Sequence, residues 1–301
     1  MLDHLNPEQK KAVLHKDGPS VVFAGAGSGK TRVIITRIVH LIEQGIAPQN
    51  ILAVTFTNKA AKEMRERMIG LSRDAYRVQV GTFHSSCARW LREFATELGF
   101  SSDFTIYDDK DSTQAIKAVL KEFTNEIEDH TPKDYLRFIS KAKTYACLPF
   151  EVEGTLGHEA HTFPPLAIKV YEKYQNYLAN CNAMDFSDLL MNMLILLRNN
   201  KLVRQTLQAR FRYILIDEYQ DTNLTQFNLI NLLVNTQQNL FVVGDDDQSI
   251  YSWRGANPHN IIDFKTYYPK AEIYHLEQNY RSSSNIVNAA SAMIKNNKTI
   301  F

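Results

Sequence analysis

A glycine-rich segment near the N-terminus has the residue types that bind a phosphate chain. Small residues let backbone N–H groups surround phosphate oxygens, and the first turn of a following helix adds its positive end. Lys30 is expected to reach the β and γ phosphates, and the Thr31 hydroxyl to ligate Mg²⁺. A chance glycine-rich turn is the alternative, and the strict pattern has glycine where this chain has Ala24. The expected nucleotide contacts here are Ala24, Gly25, Ala26, Gly27, Ser28, Gly29, Lys30 and Thr31.

Two adjacent carboxylates, Asp217 and Glu218, follow an apolar run at residues 213–216. Parallel α/β sheets place their ligand sites at the carboxyl ends of strands, so a strand here would deliver both carboxylates to such a site. One carboxylate suits Mg²⁺, and its neighbour suits orienting or deprotonating an attacking water. We assign Asp217 as the metal ligand and Glu218 as the base. An acidic turn that caps a helix is the alternative.

A third cluster, residues 244–255, follows the apolar run 240–243 and combines three acids with Gln248, Trp253 and Arg254. Amide, aromatic and cationic groups in this mixture suit phosphate sensing and stacking on bases. Three consecutive acids are also typical of a solvated turn, which is the alternative interpretation. The mixture favours a ligand-binding loop.

Alternating apolar and amphipathic segments predict the elements that position these groups. Short apolar runs bounded by turn residues predict strands, and the patterns at residues 31–44 and 59–68 predict helices between them. This alternation is typical of βαβ units on a parallel sheet, so the predicted fold class is α/β. The predicted strands are residues 21–23, 51–56, 78–80, 213–216 and 240–243.

The pattern becomes mostly helical from about residue 86 to about residue 197. Strand-like runs resume after this block, so it is predicted to be inserted into the α/β domain. Residues 154–165, rich in Gly, His and Pro, predict a loop within it. Tyr171, Tyr174 and Tyr177 lie at helical spacing, which is typical of a helix face turned to a core or a partner helix. A stacking platform is the alternative for these tyrosines.

The composition, 44% hydrophobic and 22% charged residues, is that of an ordinary globular protein. The 34 Lys and Arg nearly balance the 33 Asp and Glu, so a nucleic-acid contact must come from a local groove. Three widely spaced cysteines form no CxxC, which argues against a zinc site or a disulfide framework and favours a reducing cytoplasm. No signal peptide and no apolar run of about 18 residues is present, so we expect neither export nor a membrane span.

Seven segments, in order along nearly the whole chain, resemble the motif series of UvrD/Rep/PcrA-type superfamily 1 DNA helicases. Seven matches in the same order make the resemblance specific. The segments are residues 5–9, 24–31, 54–61, 81–84, 217–221, 244–255 and 276–282.

The resemblance implies roles for residues around a nucleotide. Gln9 would read the adenine edge, Arg32 would lie beside the nucleotide, and Tyr280 would stack on adenine. Gln248 would couple the γ-phosphate to the DNA site, and Arg281 would act as an arginine finger in cis. The P-loop and the carboxylate pair keep the roles argued above.

Other residues resemble the family's DNA contacts, and Arg254 would also sense phosphate. Aromatic stacking binds any base, which suits a motor that moves along DNA regardless of sequence. Phe56 as a sheet core residue and His84 as a helix-capping group are the alternatives. The implied contacts to single-stranded DNA are Phe56, Asn58, His84, Tyr251 and Trp253.

The resemblance also implies architecture and activity. A RecA-like ATP-binding domain would comprise residues 1–85 and 199–275, with a helical insert at 86–198. Residues 276–301 would begin a second α/β domain that the sequence does not complete, so we expect poor ATP hydrolysis by this chain alone. With ATP and Mg²⁺ as cofactors, the implied activity is a DNA helicase that moves 3′ to 5′ on single-stranded DNA or at DNA junctions, in replication or repair. A nucleotide-binding module without turnover is the alternative; an RNA helicase or a nuclease-linked relative fits the motifs less well.

Overall fold

The computed structural model describes residues 2–123, 130–156 and 166–294. These form two compact units. Unit 1 contains Met1–Thr82, Thr206–Thr222 and Leu233–Phe301, and unit 2 contains Phe83–Gln205 and Asn223–Leu232. Within the described ranges, no helix is both long enough and apolar enough to cross a membrane.

Unit 1 is built on a parallel sheet of six strands. The strands described in the chain are β1 (Ser20–Ala24), β2 (Ile51–Thr55), β3 (Gln79–Thr82), β4 (Thr105–Tyr107), β5 (Ala183–Asp185), β6 (Tyr213–Ile216), β7 (Leu240–Gly244) and β8 (Glu272–Leu276). The sheet order is β3-β2-β6-β7-β1-β8, and every neighbouring pair is parallel. This confirms the α/β class and the five predicted strands, each to within one or two residues.

Helices join these strands and form most of unit 2. They are α1 (Pro7–Val13), α2 (Lys30–Glu43), α3 (Asn58–Leu71), α4 (Phe83–Glu93), α5 (Asp109–Leu120), α6 (Pro132–Thr144), α7 (Val152–Leu156), α8 (Ala167–Asn180), α9 (Asp188–Asn199), α10 (Lys201–Arg210), α11 (Leu224–Leu233), α12 (His259–Ile262), α13 (Phe264–Tyr267) and α14 (Ser284–Ile294). Of the loop predicted at residues 154–165, the first three lie in α7 rather than in a loop, and residues 157–165 lie outside the described ones.

The core of unit 1 lies between the sheet and the helices that follow its strands. Strands buried on both faces read as continuous apolar runs, as β2, β6 and β7 do. Because β1 and β6 lie in the sheet interior, the segments that leave their carboxyl ends start from a rigid base. The strand and α2 side chains packed in this core include Val22, Val33, Ile34, Ile38, Ala53, Leu215, Phe241 and Val243.

Unit 2 has its own helical core, formed by α5, α6 and α8. Tyr171 and Tyr174 are fully buried in it, and Tyr177 packs against its margin. The Tyr171 hydroxyl donates to the Cys147 carbonyl at 3.1 Å, which satisfies the polar end of a buried ring. The prediction that this stripe faces a core is therefore confirmed, and the stacking platform is not supported.

The predicted insert, residues 86–198, falls within unit 2, which also takes in α4 from its first residue and most of α11. The short parallel pair of β4 and β5 lies in unit 2 and was not predicted from the sequence. In unit 1, β8 extends the sheet beside β1 at its edge. The assignment of residues 276–301 to a second domain stays a prediction.

Candidate nucleotide-binding site and aromatic surface

The glycine-rich turn connects the end of β1 at Ala24 to the start of α2 at Lys30. Gly27 and Gly29 adopt φ values of 73° and 93°, in the left-handed region that glycine enters without steric cost. Gly29 is the N-cap of α2, so the free N–H groups of the first helical turn lie directly beyond it. This strand–turn–helix geometry is the one that binds phosphate oxygens.

Gln9 lies against this turn from α1. The side chain is buried, its Nε2 donates to the Ser28 carbonyl at 2.8 Å, and its Oε1 accepts from the Asn6 backbone N–H at 3.1 Å. A Cβ atom on Gly29 would lie 2.8 Å from Gln9 Nε2, so glycine is needed there for close approach as well as for φ. Both ends of the Gln9 amide are thus used by the protein, and its reading of an adenine edge stays a prediction.

Lys30 links the P-loop to the carboxylates at the end of β6. Its Nζ lies 3.2 Å from the Ala24 carbonyl and 3.7 Å from Glu218 Oε2. Thr31 follows in the first turn of α2 and is half-buried, whereas Arg32 is exposed. The ammonium group therefore stands between the phosphate-binding turn and the acidic pair.

Asp217 and Glu218 leave the end of β6 in different environments. Asp217 is buried, and its burial together with the charge of Glu218 raises the pKa of its carboxyl to about 7, against the opposing effect of Lys30. Glu218 is half-exposed and has a φ of 51°, in the left-handed region that non-glycine residues seldom adopt. The Glu218 carboxylate faces Lys30, with 3.7 Å between Oε2 and Nζ.

The donor set at this edge of the sheet fits Mg²⁺. Carboxylate and hydroxyl oxygens are the ligands that this ion prefers, and Asp217 and Thr31 supply one of each. Asp221 is a second buried carboxylate, whose pKa is raised to about 6 by burial and by Glu218, although the described residues contain no cluster of three or more acidic, His or Cys side chains placed to hold a metal ion. Within the described residues its Oδ1 atom has no hydrogen-bond partner. Buried carboxylates with raised pKa values are the groups that a bound cation would stabilise in their charged form.

The acidic loop after β7 approaches the same carboxylates through Gln220. The Gln220 Nε2 atom donates to Glu218 Oε2 at 3.0 Å, and its Oε1 accepts from the Asp245 backbone N–H at 3.0 Å. The Gln248 amide donates to the Asp245 carboxylate. Gln248 is therefore held in a network that begins at Glu218.

The segment after β8 lies on the P-loop. The Tyr280 backbone N–H donates to the Gly27 carbonyl at 2.9 Å, and Asn279 Nδ2 donates to the Ala26 carbonyl at 2.5 Å. Asn279 Oδ1 also accepts from the backbone N–H of Arg281 at 2.8 Å. The structure thus brings Tyr280 and Arg281 to the P-loop, with Asn279 fixing the turn that carries them.

Three aromatic residues predicted to contact DNA come together in unit 1. The rings of Phe56 and Tyr251 stack with centroids 4.9 Å apart, and Trp253 lies 6.2 Å from Tyr251. Trp253 is 72% exposed, so it is not a core residue. The Arg254 guanidinium lies 4.5 Å from the centre of the Trp253 ring, and Asn58 begins α3 close to Phe56 in sequence. We call Phe56, Tyr251 and Trp253 the aromatic surface.

His84 belongs to unit 2, where Phe186 stacks on it with ring centroids 4.0 Å apart. Phe186 is 58% exposed although it lies between two buried carboxylates, Asp185 and Asp188. Both carboxylates lie 2.7 Å from the buried Lys143 ammonium group, which fixes the turn. Burial lowers the pKa of His84 to about 4, so its ring is neutral near pH 7.

Comparison with known proteins identifies the family. Residues 5–269 match the family described as the UvrD/REP helicase N-terminal domain. The chain belongs to the UvrD/REP helicase family. It is 44% identical over 301 residues to the ATP-dependent DNA helicase PcrA of Staphylococcus aureus strain Mu50. The matched region covers 99% of this chain and 40% of that relative. The PcrA helicase of Staphylococcus epidermidis strain ATCC 35984 is 44% identical over 300 residues, covering 99% of the chain and 41% of the relative. The chain thus spans about 40% of the length of these relatives.

This UvrD/REP helicase domain also contains side chains at the site that the sequence reasoning missed. Gln220 and Asp221 lie within the acidic segment 217–221, but the sequence predicted no role for either. Asn279 directly precedes Tyr280 and Arg281, for which the sequence did predict roles. Phe186 follows a short strand and precedes an acid, a local signal that does not by itself distinguish an exposed aromatic from a core residue.

Proposed function

We propose that this chain is the ATP-binding and single-stranded-DNA-binding portion of an ATP-dependent DNA helicase that translocates 3′ to 5′ in replication or repair. The observation that carries this proposal is the 3.7 Å approach of the P-loop Lys30 to Glu218, in the same unit as the exposed aromatic surface. The names of the relatives support the DNA-helicase activity. The polarity and the cellular role come from the family resemblance.

The nucleotide chemistry follows from the positions of the charged groups. With ATP bound, the P-loop N–H groups and Lys30 would hold the phosphates, and Asp217 with Thr31 would hold the Mg²⁺ that neutralises them. Lys30 would then exchange its contact with Glu218 for phosphate oxygens. Glu218, freed from that ion pair, would accept the proton of the attacking water. Arg281, carried next to the P-loop by Asn279, would neutralise charge on the transferred phosphoryl group.

The DNA contacts follow from exposure. An exposed indole beside stacked Phe56 and Tyr251 rings offers faces on which bases of any sequence can stack. The His84–Phe186 stack in unit 2 offers a second exposed aromatic face of neutral charge. The Arg254 guanidinium packs on Trp253, a position from which it could contact the DNA phosphate backbone. A contact of Arg254 with a nucleotide phosphate stays a prediction.

Phosphate release from Mg²⁺·ATP, measured with and without oligo(dT), tests the proposal. The expected result is slow release that rises with oligo(dT) and is lost in Lys30→Ala, because backbone amides cannot replace the lysine charge at the β and γ phosphates. A melting curve of Lys30→Ala serves as the control for folding. Nucleotide binding without any release would instead identify a nucleotide-binding module without turnover.

A further inference from the structure

Gln220 connects the candidate base to the loop that precedes the aromatic surface. It lies on the 3-10 turn Tyr219–Asp221 and is buried, with 1% of its surface exposed. Its Nε2 donates to Glu218 Oε2, and its Oε1 accepts from the Asp245 N–H, both at 3.0 Å. The two partners fix the orientation of the amide, because a carboxylate accepts and an N–H donates.

Gly244, the last residue of β7, leaves space for the Gln220 amide beside Asp245. A Cβ atom on Gly244 would collide with Gln220 Oε1 and would lie 2.7 Å from Ile261 Cδ1. Gly244 does not have a positive φ, so it is the close approach of the Gln220 side chain, and not the backbone conformation, that requires glycine here. A substitution at residue 244 therefore reaches the amide without touching Glu218.

The hydrogen bonds continue from Asp245 along the loop. Its carboxylate accepts from the Gln248 amide and from the Asp247 backbone N–H. Three residues after Gln248, Tyr251 stacks on Phe56. A displacement of the Glu218 carboxylate therefore acts on its bond to Gln220 and, through that amide, on the start of the loop that carries Tyr251 and Trp253.

We propose that Gln220 is a positioning residue that couples nucleotide binding at Glu218 to DNA binding at the aromatic surface. The proposal rests on the function proposed above and adds a residue that transmits between the two sites. When Lys30 leaves Glu218 for a phosphate, the carboxylate is held by Gln220 alone among the side-chain contacts described here. Because the same amide bonds to the Asp245 N–H, a shift of Glu218 moves Gln220 and, with it, Asp245. Coupling of this kind is reciprocal, so DNA must change nucleotide affinity by the same factor.

The coupling factor can be measured without turnover. It is the ratio of the dissociation constants of a fluorescent oligo(dT) in the absence and presence of Mg²⁺·ATPγS, measured on the 301-residue chain. Wild type is expected to show a factor of about 5 or more, the usual range for coupled sites. Gln220→Leu removes both hydrogen bonds and is expected to bring the factor close to 1, while the dissociation constant for oligo(dT) alone stays within about twofold.

Two further variants test the same role by different changes, in case Gln220→Leu does not fold. Gln220→Glu keeps the acceptor for Asp245 but replaces the donor with a second carboxylate facing Glu218, and Gly244→Ala displaces the amide from the other side. Both are expected to lower the coupling factor. Because each places a new group in a buried site, the dissociation constants are measured well below the melting temperature of each variant. Asn239→Leu is the matched control: it removes a buried amide, bonded to the Gly18 N–H, at the opposite end of β7 and is expected to retain the wild-type factor.

The outcomes separate this inference from the function on which it rests. A wild-type factor that persists in Gln220→Leu, Gln220→Glu and Gly244→Ala would overturn the role of Gln220 and leave the proposed function standing. A wild-type factor of 1, with both ligands bound, would overturn both. An equal loss of coupling in Asn239→Leu would show a general loosening of β7 and would also overturn the role of Gln220.

Discussion

Environment, rather than residue type, separates the roles that we propose for the two adjacent carboxylates, Asp217 and Glu218. Asp217 is buried, and the pKa of its carboxyl is raised to about 7, so it gains most from a cation that stabilises its charged form. Glu218 is half-exposed beside Lys30, where a water molecule has access. The same functional group, a carboxylate, thus suits metal binding at Asp217 and proton transfer at Glu218.

Glu218→Gln should keep Mg²⁺·ATP binding and lose hydrolysis by about 10²–10⁴-fold, because the amide preserves shape but cannot accept a proton. Asp217→Asn, an equally isosteric change, should instead weaken the Mg²⁺-dependent part of nucleotide binding. Titration of a fluorescent ATP analogue with and without Mg²⁺, beside phosphate release, distinguishes the two. The reverse pattern would mean that the two assignments are exchanged.

His84 should make stability depend on acidity. Because burial lowers its folded pKa to about 4 from 6.5, the unfolded chain takes up the proton more readily. The stabilisation from neutral His84 is therefore complete above pH 6.5 and is lost as the pH falls toward 4. Because the ring is mostly buried and keeps some contact with solvent, the effect should be roughly 1–3 kcal/mol. The melting temperature of wild type should fall more steeply over this range than that of His84→Gln; parallel curves would place the titration elsewhere.

At the scale of elements, α1 and the segment after β8 hold the P-loop by its carbonyl groups. Gln9 bonds to the Ser28 carbonyl, Asn279 to the Ala26 carbonyl, and the Tyr280 N–H to the Gly27 carbonyl. These bonds engage three carbonyl groups of the turn, and within the turn the Ser28 N–H donates to the Gly25 carbonyl at 3.2 Å. The turn is therefore organised for its ligand by hydrogen bonds from two other elements.

Gly29→Ala should disrupt this organisation. A left-handed φ costs a non-glycine residue about 1–2 kcal/mol, and the new Cβ would press on the Gln9 amide. We expect a loss of at least that stability, measured by urea unfolding, together with weaker nucleotide binding. Gly25→Ala is the matched control, since Gly25 has no positive φ and nothing within 4 Å of an added Cβ. Equal destabilisation by both changes would contradict the account of Gly29.

The parts of the fold and site that were predictable are those with local signals. Apolar runs predicted the five interior and edge strands β1, β2, β3, β6 and β7, and spacing predicted the P-loop. The mostly exposed strand β8 mixes polar and apolar residues and has no such run. Asn279 bonds to Ala26 across 253 positions, and Gln220 to Asp245 across 25. Such partners are determined by the sheet order, which single-sequence patterns do not contain.

For the whole molecule, the charge balance limits how the proposed single-stranded DNA would be held. With 34 basic and 33 acidic residues, no large excess of positive charge attracts the phosphate backbone. The aromatic surface of unit 1, and the His84–Phe186 stack of unit 2, would then have to supply much of the affinity. Stacking depends little on ionic strength, whereas phosphate contacts release counterions and depend on it strongly.

The dependence of DNA affinity on salt should reflect this balance of stacking and charge. The logarithm of oligo(dT) affinity should fall with the logarithm of salt concentration with a slope of roughly −1 to −3, as a few phosphate contacts at about −0.7 each would give. Trp253→Ala should weaken binding by about 1–3 kcal/mol and leave the slope unchanged, because it removes a stacking face and no charge. It should leave the melting temperature unchanged as well, since the indole is 72% exposed. Arg254→Gln, one residue further along the same loop, should reduce the slope by about 0.7 with a smaller loss of affinity. Fluorescence anisotropy titrations at three salt concentrations decide it: a steep wild-type slope, or a slope that changes with Trp253, would show that charge rather than stacking holds the strand.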